Sequence, residues 1–212
     1  MINSNILINE SHSIDKKFGL IKEAISDSFS DYPTHERIFG KTAQFLYLSR
    51  DTKFEKYPNF YAYFFTCDSN YNWSIKRLDL PKQSGLVKVM GSGVTKFEEN
   101  FERYKNSANQ NTSRNAFHCF CDTLFNSNEK TIGGAPQLVG IYRKPNTGGK
   151  SFGIIANTQR YFIGAKLKST SFINNIEWRN DEFEICDGFR MVKMKDAARQ
   201  PDVLRRNKMA NP

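Results

Sequence analysis

The stretch NFYAYFFTC, residues 59–67, constrains the fold more than any other part of the chain. Alternate side chains of a β-strand point to opposite faces of its sheet, and here both alternating sets are apolar. The two sets are Phe60, Ala62 and Phe64 on one side and Tyr61, Tyr63 and Phe65 on the other. Strands with this pattern are covered on both faces. We therefore predict a central strand of a sheet that is buried on both sides.

Other elements follow from the spacing of apolar residues. Steps of three and four predict a helix over 14–29, with Ser13 as its N-cap. Period-two runs between turn residues predict strands over 42–49, 72–80 and 86–90 and, later, over 136–144, 151–157 and 159–168. Between the two groups of strands, two helices are predicted. The first is marked by Val94, Phe97, Phe101 and Tyr104, and the second has Ala116, Phe117, Phe120, Cys121 and Leu124 facing inward. This order favours two sheets packed face to face, with helices outside.

Composition favours a folded chain in a reducing compartment. Aromatic residues make up 14% of the 212 residues, which is enough bulk for a core. No apolar run approaches the roughly 20 residues of a membrane-spanning helix, and the first residues lack the order of a secretory signal. We therefore expect a cytoplasmic protein with no membrane contact. Four cysteines in a chain of this length do not form a disulfide framework, so free buried thiols are expected.

Metal and cofactor sites have little support in the sequence. The segment FHCFC offers His118, Cys119 and Cys121, but these side chains point in different directions on a helix. A cysteine enzyme that uses Cys119 or Cys121 is a further alternative, although no neighbouring residues support it. We predict no metal and no cofactor.

Positive charge is concentrated at the end of the chain. The net charge is +9, and residues 190–212 form a basic tail after a single predicted domain over 1–189. The basic residues of this tail are Arg190, Lys193, Lys195, Arg199, Arg205, Arg206 and Lys208. Such a tail can attract nucleic acid or an acidic protein, although it is more often a solvated segment or one that docks on a partner. Arg199, Arg205, Arg206 and Lys208 are therefore candidate partner-binding residues.

The sequence GSG at 91–93 lies between a predicted strand and a predicted helix. It is too short for a nucleotide-binding loop, which needs a longer glycine spacing and a Lys-Ser/Thr pair. It also lacks the spacing of the nucleophile elbow of esterases. Taken alone, it favours a tight structural turn in which Ser92 caps the following helix.

Three features together resemble the proteasome β-type branch of the N-terminal-nucleophile (Ntn) hydrolases, particularly its bacterial peptidase-like members. They are the Gly91-Ser92-Gly93 corner, the paired helices after it, and KTIGGAPQLVGIYRK at 130–144. The closing WRNDEFEICDGFRM and ARQP also look like the ends of uncharacterised bacterial relatives. The resemblance covers roughly residues 14–201. It implies an α+β fold, a four-layer αββα sandwich of two mainly antiparallel sheets.

The resemblance also implies roles for particular residues. The serine of the corner lies close to the amino group of the nucleophile in that family, so Ser92, between Gly91 and Gly93, is expected to support the site rather than attack. The loop near the site comprises Glu129, Thr131, Ile132, Gly133 and Gly134. The proteasome has an Asp and a Ser in this loop, where this chain has Glu129 and Ile132. Relatives form rings, so a homo-oligomer or a complementing subunit is the expected partner.

The nucleophile itself has no counterpart here. These enzymes attack with an N-terminal Thr, Ser or Cys whose α-amino group acts as the base. Neither Met1 nor Ile2 could serve, and the first two hairpins of the family are not visible. Three alternatives follow: a subunit that hydrolyses amide bonds when the missing segment is supplied elsewhere, an inactive relative retained for assembly, and a likeness of fold alone.

Overall fold

The computed structural model describes residues 12–30, 43–51, 59–68, 72–107, 109–128, 132–143, 149–168, 173–195 and 197. Within these ranges the chain forms three α-helices and two β-sheets, so the predicted α+β class is confirmed. The chain divides into two compact units. The first comprises Met1–Leu80 with Arg143–Pro145, and the second comprises Pro81–Tyr142 with Asn146–Pro212. A single domain over 1–189 stays a prediction.

The first unit contains one helix and a three-stranded sheet. The elements are α1 (Ile14–Ser30), β1 (Ala43–Asp51), β2 (Asn59–Cys67) and β3 (Trp73–Leu78). The strands are antiparallel in the order β1-β2-β3. The prediction that the apolar strand is central is therefore confirmed, and Ala62, Tyr63 and Phe65 of β2 are buried.

Helix α1 packs against one face of this sheet. The ring of Phe18 lies 4.7 Å from that of Tyr63 and 5.5 Å from that of Phe65, and these two residues point to the same side of β2. The backbone N–H of Lys16 donates to Oγ of Ser13 at 3.2 Å. Ser13 thus caps the helix, as predicted.

Two helices follow in the second unit, α2 (Val94–Tyr104) and α3 (Ser113–Phe125), as predicted. Thr112 is the N-cap of α3 and accepts a hydrogen bond from the N–H of Asn115 at 3.2 Å. Phe117 and Cys121, one helical turn apart, are buried against the sheet. The prediction that Phe120 faces inward was wrong. Its ring is exposed and lies over Phe117 at 6.3 Å, because it sits at the margin of the buried stripe.

The sheet of the second unit is built from short strands. They are β4 (Leu138–Ile141), β5 (Gly149–Ala156), β6 (Gln159–Phe162), β7 (Ala165–Lys166), β8 (Trp178–Asn180), β9 (Ile185–Asp187) and β10 (Val192–Lys193). The order is β10-β9-β8-β5-β6-β7, and β4 pairs with β5. Strands β5 and β8 are parallel, and the other pairs are antiparallel. The strand predicted over 159–168 is divided, because Ile163 and Gly164 form a turn with φ of 49° and 75°.

The strand predicted over 86–90 does not form. Residues 85–90 are irregular, and Leu86 and Val87 are exposed at 40% and 43%. The alternation of LVKVM is compatible with a strand, but no described strand pairs with it. A strand needs a hydrogen-bonding neighbour as well as a suitable pattern.

Both faces of this second sheet carry buried apolar clusters. Ile154 and Ala156 pack with Phe117 and Cys121 on the side of the helices. On the other side, the second cluster is formed by Ile155, Ile173, Trp178 and Cys186, next to a 3-10 helix at Ile173–Asn175.

Candidate active site

The glycine-serine-glycine corner is a tight turn at the start of α2. Gly91 has a φ of 101°, a conformation that glycine adopts without steric cost. The N–H of Val94 donates to the Gly91 carbonyl oxygen at 3.4 Å, and that of Phe97 donates to Gly93 at 3.0 Å. The N-cap is Gly93, which makes no side-chain capping bond. The prediction that Ser92 caps the helix was therefore wrong, and this exposed hydroxyl lies outside the helix.

The corner contacts the double-glycine loop. A Cβ atom placed on Gly93 would lie 2.7 Å from Cδ1 of Ile132, so the isoleucine side chain lies directly over the glycine. The loop continues through the exposed Gly133 and Gly134, and Gly134 has a φ of 86°. The structure thus brings together the two segments singled out in the sequence. Glu129 and Thr131 lie outside the described residues.

Helices α2 and α3, which follow the corner, are joined by buried polar contacts. The amide of Asn100 donates to Oγ1 of Thr123 at 2.9 Å, and Thr123 in turn donates to the carbonyl oxygen of Cys119 at 2.8 Å. Asn115, also buried, donates to the carbonyl oxygen of Tyr104 at 3.0 Å. Because these buried donors and acceptors satisfy one another, they stabilise the packing of the two helices.

The cysteines are poor nucleophiles in this environment. All four are free and buried, as predicted. Burial raises the pKa of Cys119 to about 11 and that of Cys121 to about 12. The thiolate is the reactive form of cysteine, so both side chains are unreactive near neutral pH. In the described residues, no group of three or more His, Cys, Asp or Glu side chains could hold a metal ion.

The predicted partner-binding residues Arg199, Arg205, Arg206 and Lys208 lie outside the described residues. The folded part nevertheless extends beyond residue 190. Strand β10 pairs with β9, and the buried Ala197 accepts a hydrogen bond from Arg114 at 2.9 Å. A truncation that spares the sheet must therefore begin after Ala197.

Sequence reasoning missed a network of charged residues in the second unit. The hydroxyl of Tyr142 donates to both carboxylate oxygens of Glu177, at 2.9 Å and 3.0 Å. Arg179 also donates to this carboxylate, and Nζ of Lys150 lies 3.7 Å from it. The guanidinium of Arg179 lies over the ring of Phe183, with 4.8 Å between its central carbon and the ring centroid.

Desolvation, together with the hydrogen bond to Glu177, raises the pKa of Tyr142. The network joins the end of β4, the start of β5 and β8. With two hydrogen-bond donors and a lysine ammonium group around one carboxylate, the network holds these segments together. Tyr142 and Glu177 are 35 residues apart, and nothing in the sequence near either residue indicates the other.

Comparison with protein-family models, with curated proteins and with solved structures found no match for this chain. Among the helices described, none combines the length and the apolar character needed to cross a bilayer.

Proposed function

We propose that this chain is a proteasome-like subunit of the Ntn-hydrolase type, which hydrolyses amide or peptide bonds when an N-terminal nucleophile segment is supplied. The observation that carries the proposal is the contact between Gly93 and Ile132. It joins the strand-to-helix corner and the double-glycine loop, the two segments on which the resemblance rests. Ser92, exposed between the two glycines, is then available to an incoming terminus.

In this proposal, the described residues support the reaction rather than perform the attack. The nucleophile is the side chain of a Thr, Ser or Cys at a chain terminus, and its own α-amino group takes the proton. The Ser92 hydroxyl hydrogen-bonds that amino group and orients it. The buried, protonated thiols of Cys119 and Cys121 favour this arrangement over a cysteine mechanism.

The proposal includes the four-layer αββα order of the fold. It also includes assembly with further copies of the chain or with a complementing subunit. We propose that the assembly lies in the cytoplasm and needs no cofactor. Support for the layer order comes from each unit taken separately. In the first unit α1 covers one face of its sheet, and in the second the helix α3 covers one face of its own.

The test is hydrolysis of fluorogenic peptides by the protein isolated from its native source with whatever subunit accompanies it. Substitution by Ala of the N-terminal Thr, Ser or Cys, whether on this chain or on the accompanying subunit, should abolish hydrolysis. Ser92→Ala should lower kcat by about 10-fold or more, as loss of a positioned hydrogen bond does. Ser84→Ala, at an exposed serine in an irregular segment, is the matched control and should leave the rate unchanged. Hydrolysis that survives loss of the terminal nucleophile would refute the proposal.

A non-catalytic interaction module is the second candidate, in which the basic tail binds an acidic protein or nucleic acid. A specific observation favours it. Phe189, Val192 and Met194 are exposed, as are Arg190 and Lys195, so exposed apolar and basic residues alternate along the chain at the start of the tail. Exposed apolar groups rimmed by charge are typical of interaction sites.

Binding assays with duplex DNA and with RNA can decide whether the partner of the basic tail is nucleic acid or an acidic protein. Phosphate binding weakens steeply with salt because counterions are released on association. A chain truncated after Ala197 keeps the sheet and the exposed residues at 189–195, and should bind more weakly because Arg199, Arg205, Arg206 and Lys208 are removed. Affinity for the nucleic acids that is equal at low and physiological salt would exclude nucleic acid as the partner.

A further inference from the structure

The segment that precedes the glycine-serine-glycine corner is a straight, accessible stretch of the second unit. Residues 85–90 run without a turn or bend up to the corner. Each residue from 81 to 88 is exposed, and a Cβ atom on Gly85 would meet nothing within 4 Å. In the described part of the chain, neither the N–H nor the carbonyl oxygen of Gly85, Val87 or Val89 takes part in a hydrogen bond. Backbone groups are obligatory hydrogen-bonding groups, so these are open to a ligand.

The sequence of this segment is that of a strand. The run LVKVM consists of β-branched and long apolar residues except for its lysine, and β-branched residues are favoured in strands. Leu86 and Val87 are neighbours in sequence and are 40% and 43% exposed, so the extended chain presents apolar groups on both faces. No described strand pairs with the segment. It therefore has the composition and the shape of a strand without a neighbouring strand in the described structure.

We propose that an extended peptide substrate binds to this segment as an added strand, along the edge formed by Gly85, Val87 and Val89. In a strand, the N–H and carbonyl oxygen of one residue point to the same edge, and those of the next residue point to the other. The other edge contains Lys88, which already has an interaction partner. Along the proposed edge, the hydrogen-bonding groups recur every two residues, at about 6.6 Å. Another extended backbone presents partners at that spacing, so the ligand that matches this edge is a peptide.

This inference rests on the proposed function, because the bound peptide is the substrate whose bond is cleaved. The exposed Ser92 follows Val89 by three residues, and three residues of chain span at most about 11 Å. A peptide paired with Val89 therefore needs only a few further residues to reach the Ser92 hydroxyl. Strand addition fixes the register of the peptide backbone relative to the corner, which is the positioning that hydrolysis requires.

Peptide binding can be measured without hydrolysis. The probe is a fluorescein-labelled hexapeptide of alternating valine and threonine, whose anisotropy gives the Kd for the full chain. Val87→Pro removes an N–H from the pairing edge and should raise Kd about 5-fold or more, the effect of one lost hydrogen bond. Leu86→Pro removes an N–H from the other edge at a similarly exposed position and should leave Kd unchanged. Neither substitution breaks a hydrogen bond of the described chain, so both variants should fold.

A second measurement changes the peptide and leaves the protein unaltered. N-methylation removes a peptide N–H, and only alternate amides of an added strand face the neighbouring strand. Methylation of one alternate set of amides should therefore raise Kd about 5-fold or more, and methylation of the other set should have little effect.

The fluorogenic-peptide assay of the native protein separates binding from catalysis. Val87→Pro should raise KM with little change in kcat, whereas Ser92→Ala should lower kcat. No binding of the hexapeptide, equal Kd values for the two proline variants, or equal effects of the two methylated sets would overturn strand addition. Binding with the expected alternation but without hydrolysis in the native preparation would support strand addition and contradict the proposed function.

Discussion

Replacing Gly153 with alanine would push a methyl group into the indole ring of Trp178. A Cβ atom at this position would lie 2.4 Å from Cε3 and 2.6 Å from both Cδ2 and Cζ3. The indole ring cannot shift to accommodate the methyl group, because it is confined by other contacts. It is 2% exposed, its Nε1 donates to the carbonyl oxygen of Ile173 at 2.9 Å, and a Cβ on Gly188 would lie 2.2 Å from two of its other atoms.

The size of the effect follows from two opposing contributions. Overpacking of a filled core costs about 1–3 kcal/mol. Alanine recovers about 0.4–1 kcal/mol, because it restricts the unfolded chain more than glycine does. The difference lies between about 0 and 2.6 kcal/mol, and we expect Gly153→Ala to lower the free energy of unfolding by about 1.3 kcal/mol, the middle of that range. For a chain of this size, that corresponds to a fall in Tm of about 3–5 °C.

Thermal unfolding followed by calorimetry measures this shift. Gly149→Ala is a matched control in the same strand, because a Cβ at Gly149 would meet nothing within 4 Å. It should leave Tm nearly unchanged or raise it slightly. In a Trp178→Phe background, the smaller ring should reduce the cost of Gly153→Ala. Equal Tm values for Gly153→Ala and Gly149→Ala in the otherwise unchanged protein would refute the reasoning.

The buried polar groups and thiols give three more expected outcomes. Asn100→Ala removes the 2.9 Å hydrogen bond to Thr123 and should cost about 1–3 kcal/mol in urea unfolding, whereas unchanged stability would contradict a structural role for the pair. Burial opposes ionisation of Glu184, but hydrogen bonds from Lys193 and Asn180 outweigh it and lower its pKa. The ionised carboxylate therefore stabilises the fold above its unfolded-state pKa, and this stabilisation is lost as pH falls through the folded-state value. Glu184→Gln should reduce the loss of stability on acidification, and an acid titration identical to that of the unaltered protein would contradict this. Burial raises the pKa of all four thiols, so iodoacetamide should modify the native protein far more slowly than the urea-unfolded protein; equal rates would contradict their burial.

Elements whose pattern is local could be predicted from the sequence. Strand β2 is apolar on both faces, and the helix from Val94 has a clear apolar stripe, so each pattern can be recognised without knowledge of the partner elements. The segment 86–90 has the alternation of a strand but does not become one, because strand formation depends on pairing that local sequence does not encode. Ser92 was expected to be a cap, but the helix begins one residue too late for it.

The candidate site was predictable only in part. The corner and the double-glycine loop could each be recognised as glycine-rich segments, while the contact between Gly93 and Ile132 depends on how the chain returns after α3. The Tyr142–Glu177 network depends on the packing of β4, β5 and β8, which come from distant parts of the sequence. Short motifs identify candidate site residues, and the tertiary structure determines which of these residues are in contact.

The most direct test of the proposed function is the intact mass and N-terminal sequence of the protein purified from its native source. The proposal predicts a mature terminus at Thr, Ser or Cys, either on a longer form of this chain or on a subunit that copurifies with it. A chain of 24.5 kDa that begins at Met1 or Ile2 and purifies without such a subunit would contradict the proposal.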